Sequence, residues 1–156
     1  MSTPELLIRP SQITDARRIS YLIQRTTERV TENGYSPQQI EVWKKANTPG
    51  AIHRQMEQRS IFCAFIGKQL VGTIALQDDE LVGLYVSYSQ RGHGIGRLLV
   101  KYLEKEALQR GLTSLHLCAT PSAKVFYERC GYQAQKPVTV RIQGIAFEET
   151  HMEKAL

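Results

Sequence analysis

The fold is decided by residues 88–99, which read YSQRGHGIGRLL. A strand pattern precedes this stretch and a helix pattern follows it, and its glycines at 92, 94 and 96 allow the backbone to approach a bound anion closely. The first turn of the following helix would present unpaired N–H groups and the positive end of its dipole, which suits a phosphate. Arg91 and Arg97 add positive charge. The stretch therefore predicts a binding loop for a phosphorylated ligand.

Two other phosphate-binding motifs do not fit this loop. A dinucleotide fingerprint requires a third glycine where this chain has Arg97, and it normally follows the first strand of a βαβ unit. A nucleotide P-loop ends in Gly-Lys followed by Ser or Thr, and the chain contains no such tripeptide. The alternative to a binding loop is a glycine-rich turn that binds no ligand. The order of strand, arginine, spaced glycines and amphipathic helix favours a binding site over that interpretation.

Upstream of the loop, hydrophobic spacing predicts a strand, several helices and then three strands. We expect a strand at 6–9, then a helix that Asp15 caps, with Ile19, Leu22, Ile23, Thr26 and Val30 on its apolar side and Asn33-Gly34 at its end. A second helix is expected to begin at Ser36-Pro37, and a short third helix to run through Ile52 and Met56. Strands at 61–66, 70–76 and 81–86 are joined by short turns, which is typical of an antiparallel meander.

Downstream of the loop, the pattern alternates between helices and strands. The helix after the loop is predicted to bury Ile95, Leu98, Leu99, Tyr102, Leu103 and Leu108, and to end at Gly111. A strand at 113–118 follows, then a helix from Thr120-Pro121 to Gly131, and finally strands at 132–142 and 145–152. The elements together indicate one mixed α/β sheet rather than a doubly wound domain.

Composition and charge exclude several classes of protein. The 156 residues suit one domain, so we expect a single domain over 1–156. The longest apolar runs are far shorter than the ~20 residues of a membrane helix, and no signal peptide is evident, so we expect a cytoplasmic protein without membrane contact. The net charge of +5 is spread along the chain, which disfavours a nucleic-acid-binding domain. The three cysteines (Cys63, Cys118, Cys130) and four histidines (His53, His93, His116, His151) lack metal-ligand spacing, so we expect reduced thiols and no metal.

Two segments resemble the GNAT superfamily of acyl-CoA-dependent N-acetyltransferases. Residues 91–96 (RGHGIG) match its Arg/Gln-x-x-Gly-x-Gly/Ala signature, and residues 123–132 (AKVFYERCGY) are similar to its second motif, Ala-x-x-x-Tyr-x-x-x-Gly-Phe/Tyr. Residues 151–154 are typical of the last strand of the family, and residues 35–40 with Trp43 resemble a subgroup of small bacterial members with unassigned substrates. The resemblance implies the GNAT acyl-CoA N-acyltransferase fold, with a mostly antiparallel twisted sheet of six or seven strands flanked by about four helices.

The resemblance also implies roles for particular residues. The pyrophosphate of coenzyme A would lie against Arg91, Gly92, His93, Gly94, Ile95, Gly96 and Arg97. The pantetheine arm would lie along Leu84, Tyr85 and Val86 like an added strand, where a bulge parts this strand from the next and an N–H near Val86 polarises the thioester carbonyl. Ala123 and Phe126 belong to the second motif, and Thr120 stands where the family often has Asn; all three are expected to contact the cofactor. Tyr127 matches the general acid that protonates the departing thiolate.

Neither the general base nor the acceptor is identified by the sequence. A carboxylate is the usual base for this chemistry. The candidates are Asp78, Asp79, Glu80 and Glu41, and the alternative for each of them is an ordinary surface acid. The expected substrate wall holds Tyr21, Tyr35, Trp43, Arg25, Arg29 and Arg141, a mixture of aromatic and basic groups.

The predicted activity is direct transfer of an acetyl group from acetyl-CoA to an amine of a small molecule or peptide, by a monomer or homodimer. A non-catalytic acyl-CoA sensor is the alternative, and a basic nucleic-acid-binding domain is disfavoured.

Overall fold

A computed structural model of the chain describes residues 5–29 and 34–156, and those residues form a seven-stranded sheet between two groups of helices. The strands are β1 (Leu6–Pro10), β2 (Ser60–Ile66), β3 (Gln69–Gln77), β4 (Glu80–Val86), β5 (Ser114–Ala119), β6 (Gln133–Ile142) and β7 (Ile145–Ala155). The helices are α1 (Ala16–Arg29), α2 (Pro37–Lys45), α3 (Pro49–Gln58), α4 (Ile95–Gln109) and α5 (Lys124–Arg129), with short 3₁₀ turns at Ile13–Asp15 and Tyr88–Gln90.

The sheet has the strand order β1-β2-β3-β4-β5-β7-β6, and every neighbouring pair is antiparallel except β4 and β5. The predicted mixed α/β fold with a mostly antiparallel sheet is therefore confirmed, with five helices among the described residues. After Ser60, strand β2 is apolar from residue 61 to residue 66, which suits a strand with both faces covered. Phe62 and Ala64 pack toward α4, whereas Ile61, Cys63 and Phe65 pack toward α1 and α3.

Strands β4 and β5 separate almost as soon as they meet. They form one parallel pair, Glu80 with His116, which is reinforced by a 3.1 Å hydrogen bond from the His116 N–H to the Asp79 carbonyl. Within β4 the register to β3 skips Val82, because Leu76 pairs with Leu81 but the preceding Ala75 pairs with Gly83. This bulge bends β4 away from β5. The sheet is thereby left with a wedge-shaped gap, which we call the β4–β5 opening.

The prediction for the apolar face of α4 is partly wrong. Ile95, Leu99 and Leu103 are buried as expected, but Leu98 and Leu108 are 46% and 53% exposed. Val100 and Ala107 occupy the inner positions in their place. Positions 98 and 108 lie on the far side of the helix from the centre of the buried face, because each residue advances the helix by a fixed angle.

Two predicted helix starts also need correction. Asp15 does not cap α1; it is the last residue of the preceding 3₁₀ turn, where its buried carboxylate accepts the Gln12 N–H at 2.7 Å. It also pairs with Arg9 and Arg18 at 2.8 and 2.9 Å, and so joins β1 to α1.

Helix α5 begins at Lys124 rather than at Thr120-Pro121, because the Thr120 carbonyl first closes a turn onto the Ala123 N–H at 3.0 Å. The predicted cap at Ser36 is confirmed, and Val30 and Asn33 lie outside the described residues.

Helix α4 packs against β3 at Gly72, where a Cβ atom would lie 2.8 Å from Leu99 Cδ1 and 3.3 Å from Ile95 Cγ2. We expect Gly72→Ala to lower the free energy of unfolding by about 1–3 kcal/mol, because the fully buried Leu99 side chain must shift within the core and the Tyr85 carbonyl oxygen lies 3.3 Å from the new Cβ atom. Urea denaturation measures the loss. Gly50→Ala, in the first turn of α3 with its nearest neighbour at 3.6 Å, is the control and should be neutral or slightly stabilising. Equal stability of the two variants would contradict the expected steric conflict.

Candidate active site

The glycine-rich loop presents free backbone donors. Gly94 is the N-cap of α4 with φ +78°, a left-handed conformation that favours glycine, and it has no side chain to cap the helix. Its carbonyl accepts the Leu98 N–H at 3.1 Å, but the N–H groups of Ile95, Gly96 and Arg97 have no acceptor among the described residues. Apart from its chain neighbours and the adjacent helix backbone, no described heavy atom lies within 4 Å of the position that a Cβ atom on Gly94 would occupy. The loop is thus open to an anion.

The loop also lies against the second predicted motif. A Cβ atom on Gly96 would lie 3.2 Å from the Phe126 ring and 3.6 Å from Val86 Cγ2. The structure therefore brings together the loop, the end of β4 and α5, as the sequence predicts for the residues of one site. Arg91, His93 and Arg97 are exposed around the loop. Because Gly96 contacts both elements, a larger residue there would disturb the packing of α5 as well as the loop.

Strand β4 borders the β4–β5 opening along its second half. Leu84, Tyr85 and Val86 are half-buried, and none of them pairs with β5. Leu84 and Val86 pack toward α4, whereas Tyr85 packs toward α1 and α3. The edge of β4 that faces β5 is therefore available to an extended ligand, which is how a peptide-like chain adds to a sheet.

Tyr127 points from α5 into the core beside the opening. It is 7% exposed, with ring centroids 5.2 Å from Phe126 and 5.9 Å from Tyr132. Its hydroxyl forms no hydrogen bond with the described residues, and burial raises the pKa of this hydroxyl well above its usual value. The nearby ionisable groups Tyr85, Cys130 and Glu149 add to that increase. Tyr127 therefore stays protonated at neutral pH and can act as a hydrogen-bond donor.

Only part of the expected substrate wall is assembled. Tyr35 and Trp43 pack together at 5.8 Å, and both contact Phe147 of β7, at 6.2 and 6.0 Å. The Trp43 Nε1–H donates to the Tyr85 hydroxyl at 2.9 Å. We call these four residues, Tyr35, Trp43, Tyr85 and Phe147, the aromatic cluster.

The other members of that wall lie elsewhere. Tyr21 is 65% exposed beneath Arg25, Arg29 stacks on Tyr88, and Arg141 bonds the Gly144 carbonyl in the β6–β7 turn. The wall is therefore aromatic where it meets the opening, and none of the three expected arginines is recorded in contact with the aromatic cluster. The basic group near Tyr85 is instead Arg59, which was not expected in the wall.

The four carboxylates proposed from the sequence as the base differ in position. Glu41 is 68% exposed and paired with Lys45, and Asp78 lies on the surface in the β3–β4 turn. Asp79 is bound by His116 Nε2 at 3.0 Å. Glu80 alone is half-buried at the narrow end of the β4–β5 opening, near Arg59 and Glu149.

Glu149, a half-buried residue of β7, is a further candidate that the sequence did not predict. Burial, with a smaller effect of the Glu80 charge, raises the pKa of Glu149 to about 7. Its signal in the sequence was the alternation of β7, in which Phe147, Glu149 and His151 share one face while Glu148 is exposed on the other. A glutamate on the same face as a buried phenylalanine marks a carboxylate that is held away from water.

The raised pKa of Glu149 predicts a pH-dependent stability. The pKa of Glu149 is the ordinary 4.5 in the unfolded chain and about 7 in the folded protein. Between these two pH values the folded protein binds more protons than the unfolded chain, so the parent loses stability as the pH rises from 4.5 to about 7. We expect Glu149→Gln to leave stability unchanged at pH 5 and to raise the free energy of unfolding by about 1 kcal/mol at pH 8, allowing for solvent screening. Urea denaturation at both pH values measures the difference. Glu148→Gln is the control, and an equal gain there would contradict the expectation.

Within residues 5–29 and 34–156, no helix has the length and apolar character required to span a bilayer. In the same residues no three His, Cys, Asp or Glu side chains gather into a group that could bind a metal ion.

The chain is similar to known proteins over most of its length. Residues 31–156 match the family model described as Acetyltransferase (GNAT) domain. The chain is 27% identical over 145 residues to the uncharacterised N-acetyltransferase YafP of Escherichia coli, with 93% of each chain covered.

Solved structures show the same fold. A GCN5-related N-acetyltransferase from Rhodopseudomonas palustris superposes with a TM-score of 0.90 at 31% identity, covering 100% of this chain and 98% of the other. The PaiA N-acetyltransferase of Thermoplasma acidophilum, solved with coenzyme A, superposes with a TM-score of 0.83 at 20% identity, covering 97% of this chain and 99% of the other. The match to the family model spans both motifs and the whole β4–β5 opening, and this chain therefore belongs to the GNAT family of N-acetyltransferases and is an acyltransferase.

Proposed function

We propose that the protein transfers the acetyl group of acetyl-CoA directly to an amine of a small molecule or peptide. The observation that carries the proposal is the combination of an uncapped glycine loop with an unpaired β4 edge that leads from it to Tyr127. The coenzyme A in the PaiA complex supports the choice of acyl donor.

The loop fits the diphosphate of coenzyme A. Backbone N–H groups of the loop would bind its oxygens, from Gly92, His93, Gly94, Ile95, Gly96 and Arg97. The N–H of Arg91 already donates to the Tyr88 carbonyl at 3.3 Å, so Arg91 would contribute its guanidinium charge, as Arg97 would. Residues Leu84, Tyr85 and Val86 would bind the amide-bearing arm along the open strand edge. Thr120, Ala123 and Phe126, which lie between β5 and α5 or on α5 itself, would cover the opposite side.

Coenzyme A supplies an acetyl group activated as a thioester. In the transfer, a nitrogen–carbon bond forms and the carbon–sulfur bond breaks, so the amine loses one proton and the sulfur must gain one. A β4 N–H near Val86 would stabilise the charge that develops on the carbonyl oxygen. The Tyr127 hydroxyl would donate to the departing sulfur. Its raised pKa keeps that proton in place until the sulfur carries negative charge.

Binding and turnover test the proposal separately. We expect acetyl-CoA at millimolar concentration to raise the melting temperature, and a panel of n-butylamine, 2-phenylethylamine and an alanine-initiated peptide to include an acceptor that releases coenzyme A thiol. Stabilisation without turnover across a broad amine panel would indicate an acyl-CoA sensor. No stabilisation would overturn the coenzyme A proposal.

A further inference from the structure

We infer that Glu149 takes the proton from the acceptor amine, at a site that receives the amine as a cation. The inference rests on the proposed function, because acyl transfer to an amine requires a group that removes a proton from nitrogen. An alkylamine has a pKa near ~10.4 and is almost fully protonated at neutral pH.

Strand register places Glu149 at the mouth of the β4–β5 opening. The last pair between β5 and β7 joins Ala119 to Thr150, so Glu149 is the first residue of β7 beyond the end of β5. It remains paired with Val138 of β6, which holds its backbone in the sheet. On the same face, two residues earlier, Phe147 contacts Tyr35 and Trp43 of the aromatic cluster. Glu149 therefore faces the space between that cluster and the opening.

The groups around Glu149 are acids or neutral side chains. Those that face it are Glu80 and Tyr85 of β4, Tyr35 ahead of α2, Cys118 of β5, Tyr127 of α5 and, farther along its own strand, His151. His151 is paired with Glu153 at 3.0 Å. Among the described residues, no lysine or arginine forms an ion pair with Glu149 and no donor bonds its carboxylate. A positively charged ligand would supply the missing counter-charge.

The other acids near the opening already have partners or are farther from the site. Asp79 is bound by His116, and Glu80 lies within the electrostatic reach of Arg59. The Tyr35 hydroxyl is buried close to Thr120, without a hydrogen bond of good geometry to any described residue. A buried polar atom without a partner is costly, and such atoms often mark a place where a ligand or water binds. The carboxylate and this hydroxyl together form a polar end to an otherwise aromatic wall.

The proton balance follows from the two ends of the site. The ammonium first gives one proton to the carboxylate of Glu149, and the neutral amine then attacks the carbonyl carbon. As the new bond forms, the second proton of nitrogen leaves to solvent, and the sulfur receives a proton by way of the Tyr127 hydroxyl, which solvent then replaces. Release of the Glu149 proton to solvent restores the resting state. A carboxyl whose pKa is about 7 can both accept and release this proton at neutral pH.

The test is the pH profile of kcat for the parent, Glu149→Gln and Glu148→Gln, with the best amine from the panel and saturating acetyl-CoA. We expect parental kcat to rise through pH ~7 and level off. Glu149→Gln should lose roughly 10²-fold in kcat at pH 7.5, and its rate should keep rising toward the pKa of the amine. Glu148, exposed and bonded to Thr139, is the matched control, and its variant should retain the parental profile.

A second measurement does not depend on turnover. In protein labelled with ¹³C at the glutamate carboxyl groups, the signal absent from Glu149→Gln should titrate near pH 7, and titration near the ordinary 4.5 would overturn the inference. A parental kcat and pH profile in Glu149→Gln would also overturn it, while the proposed function would stand. Absence of turnover by the parent would instead overturn the proposed function, and the inference with it.

Discussion

Tyr127→Phe is expected to lower kcat by roughly 10²- to 10⁴-fold while the affinity for acetyl-CoA stays nearly unchanged, because the hydroxyl would act only on the departing sulfur. The lower end of this range is favoured, since a hydroxyl with a raised pKa gives up its proton reluctantly and coenzyme A thiolate leaves easily. Stability should change little, because the ring remains and the hydroxyl has no hydrogen-bond partner among the described residues. Steady-state rates with one acceptor and calorimetric titration of acetyl-CoA measure the two effects.

The neighbouring Tyr132 provides the matched control. Its ring packs on Tyr127 at 5.9 Å, and its hydroxyl donates to Glu104 Oε2 at 3.0 Å. Tyr132→Phe should therefore lose about 1 kcal/mol of stability and keep its kcat, the reverse of the Tyr127 result. A Tyr127→Phe protein with parental kcat would remove this hydroxyl from the mechanism and leave water as the acid.

Gly94→Trp is expected to weaken coenzyme A binding by at least about 10²-fold, or ~2.7 kcal/mol. The indole would occupy the open space in front of the free N–H groups of the loop, where the diphosphate is proposed to bind. Isothermal titration with coenzyme A measures the loss. Arg91→Ala should have a milder effect, because the backbone supplies most of the donors.

Gly111→Trp separates this effect from backbone strain. Gly111 follows the other end of α4 with φ +87°, close to the +78° of Gly94, and the space around its Cβ position is equally empty. Both substitutions should cost stability to a similar extent, about 1–2 kcal/mol, but only the first should reduce affinity. If a folded Gly94→Trp protein bound coenzyme A with parental affinity, the diphosphate would have to bind elsewhere.

Much of the fold could be predicted from local sequence, because most elements carry strong signals at their ends. Ser36-Pro37 predicts the start of α2, and Gly111 the end of α4, from capping chemistry alone. The errors arise where a decision depends on packing between distant segments. Leu98 and Val100 are both apolar, and only the position of the sheet decides that Val100 is buried while Leu98 is exposed.

The candidate site also has one part that local sequence predicts and another that depends on packing between distant segments. The loop at 91–97 and the segment around Tyr127 are contiguous motifs, so the sequence alone could propose them. Glu149 acquires its character from burial and from Glu80, which lies 69 positions earlier in the chain and meets it only through the order of strands. No short window of sequence contains that relationship. The acids that stood out by sequence position, Asp78 and Glu41, are on the surface.

The β4–β5 opening also has a mechanical consequence. It divides the sheet into two plates, β1–β4 and β5–β7–β6, which share a single residue pair and are otherwise bridged by helices and loops. A rotation of one plate relative to the other about the Glu80–His116 pair would change the width of the β4–β5 opening at its far end. No strand pairing within either plate would have to break. A ligand bonded to β4 on one side and α5 on the other would act as a brace between them. Stiffness would then spread to β6, at the outer border of the second plate, which is not among the elements proposed to contact the ligand.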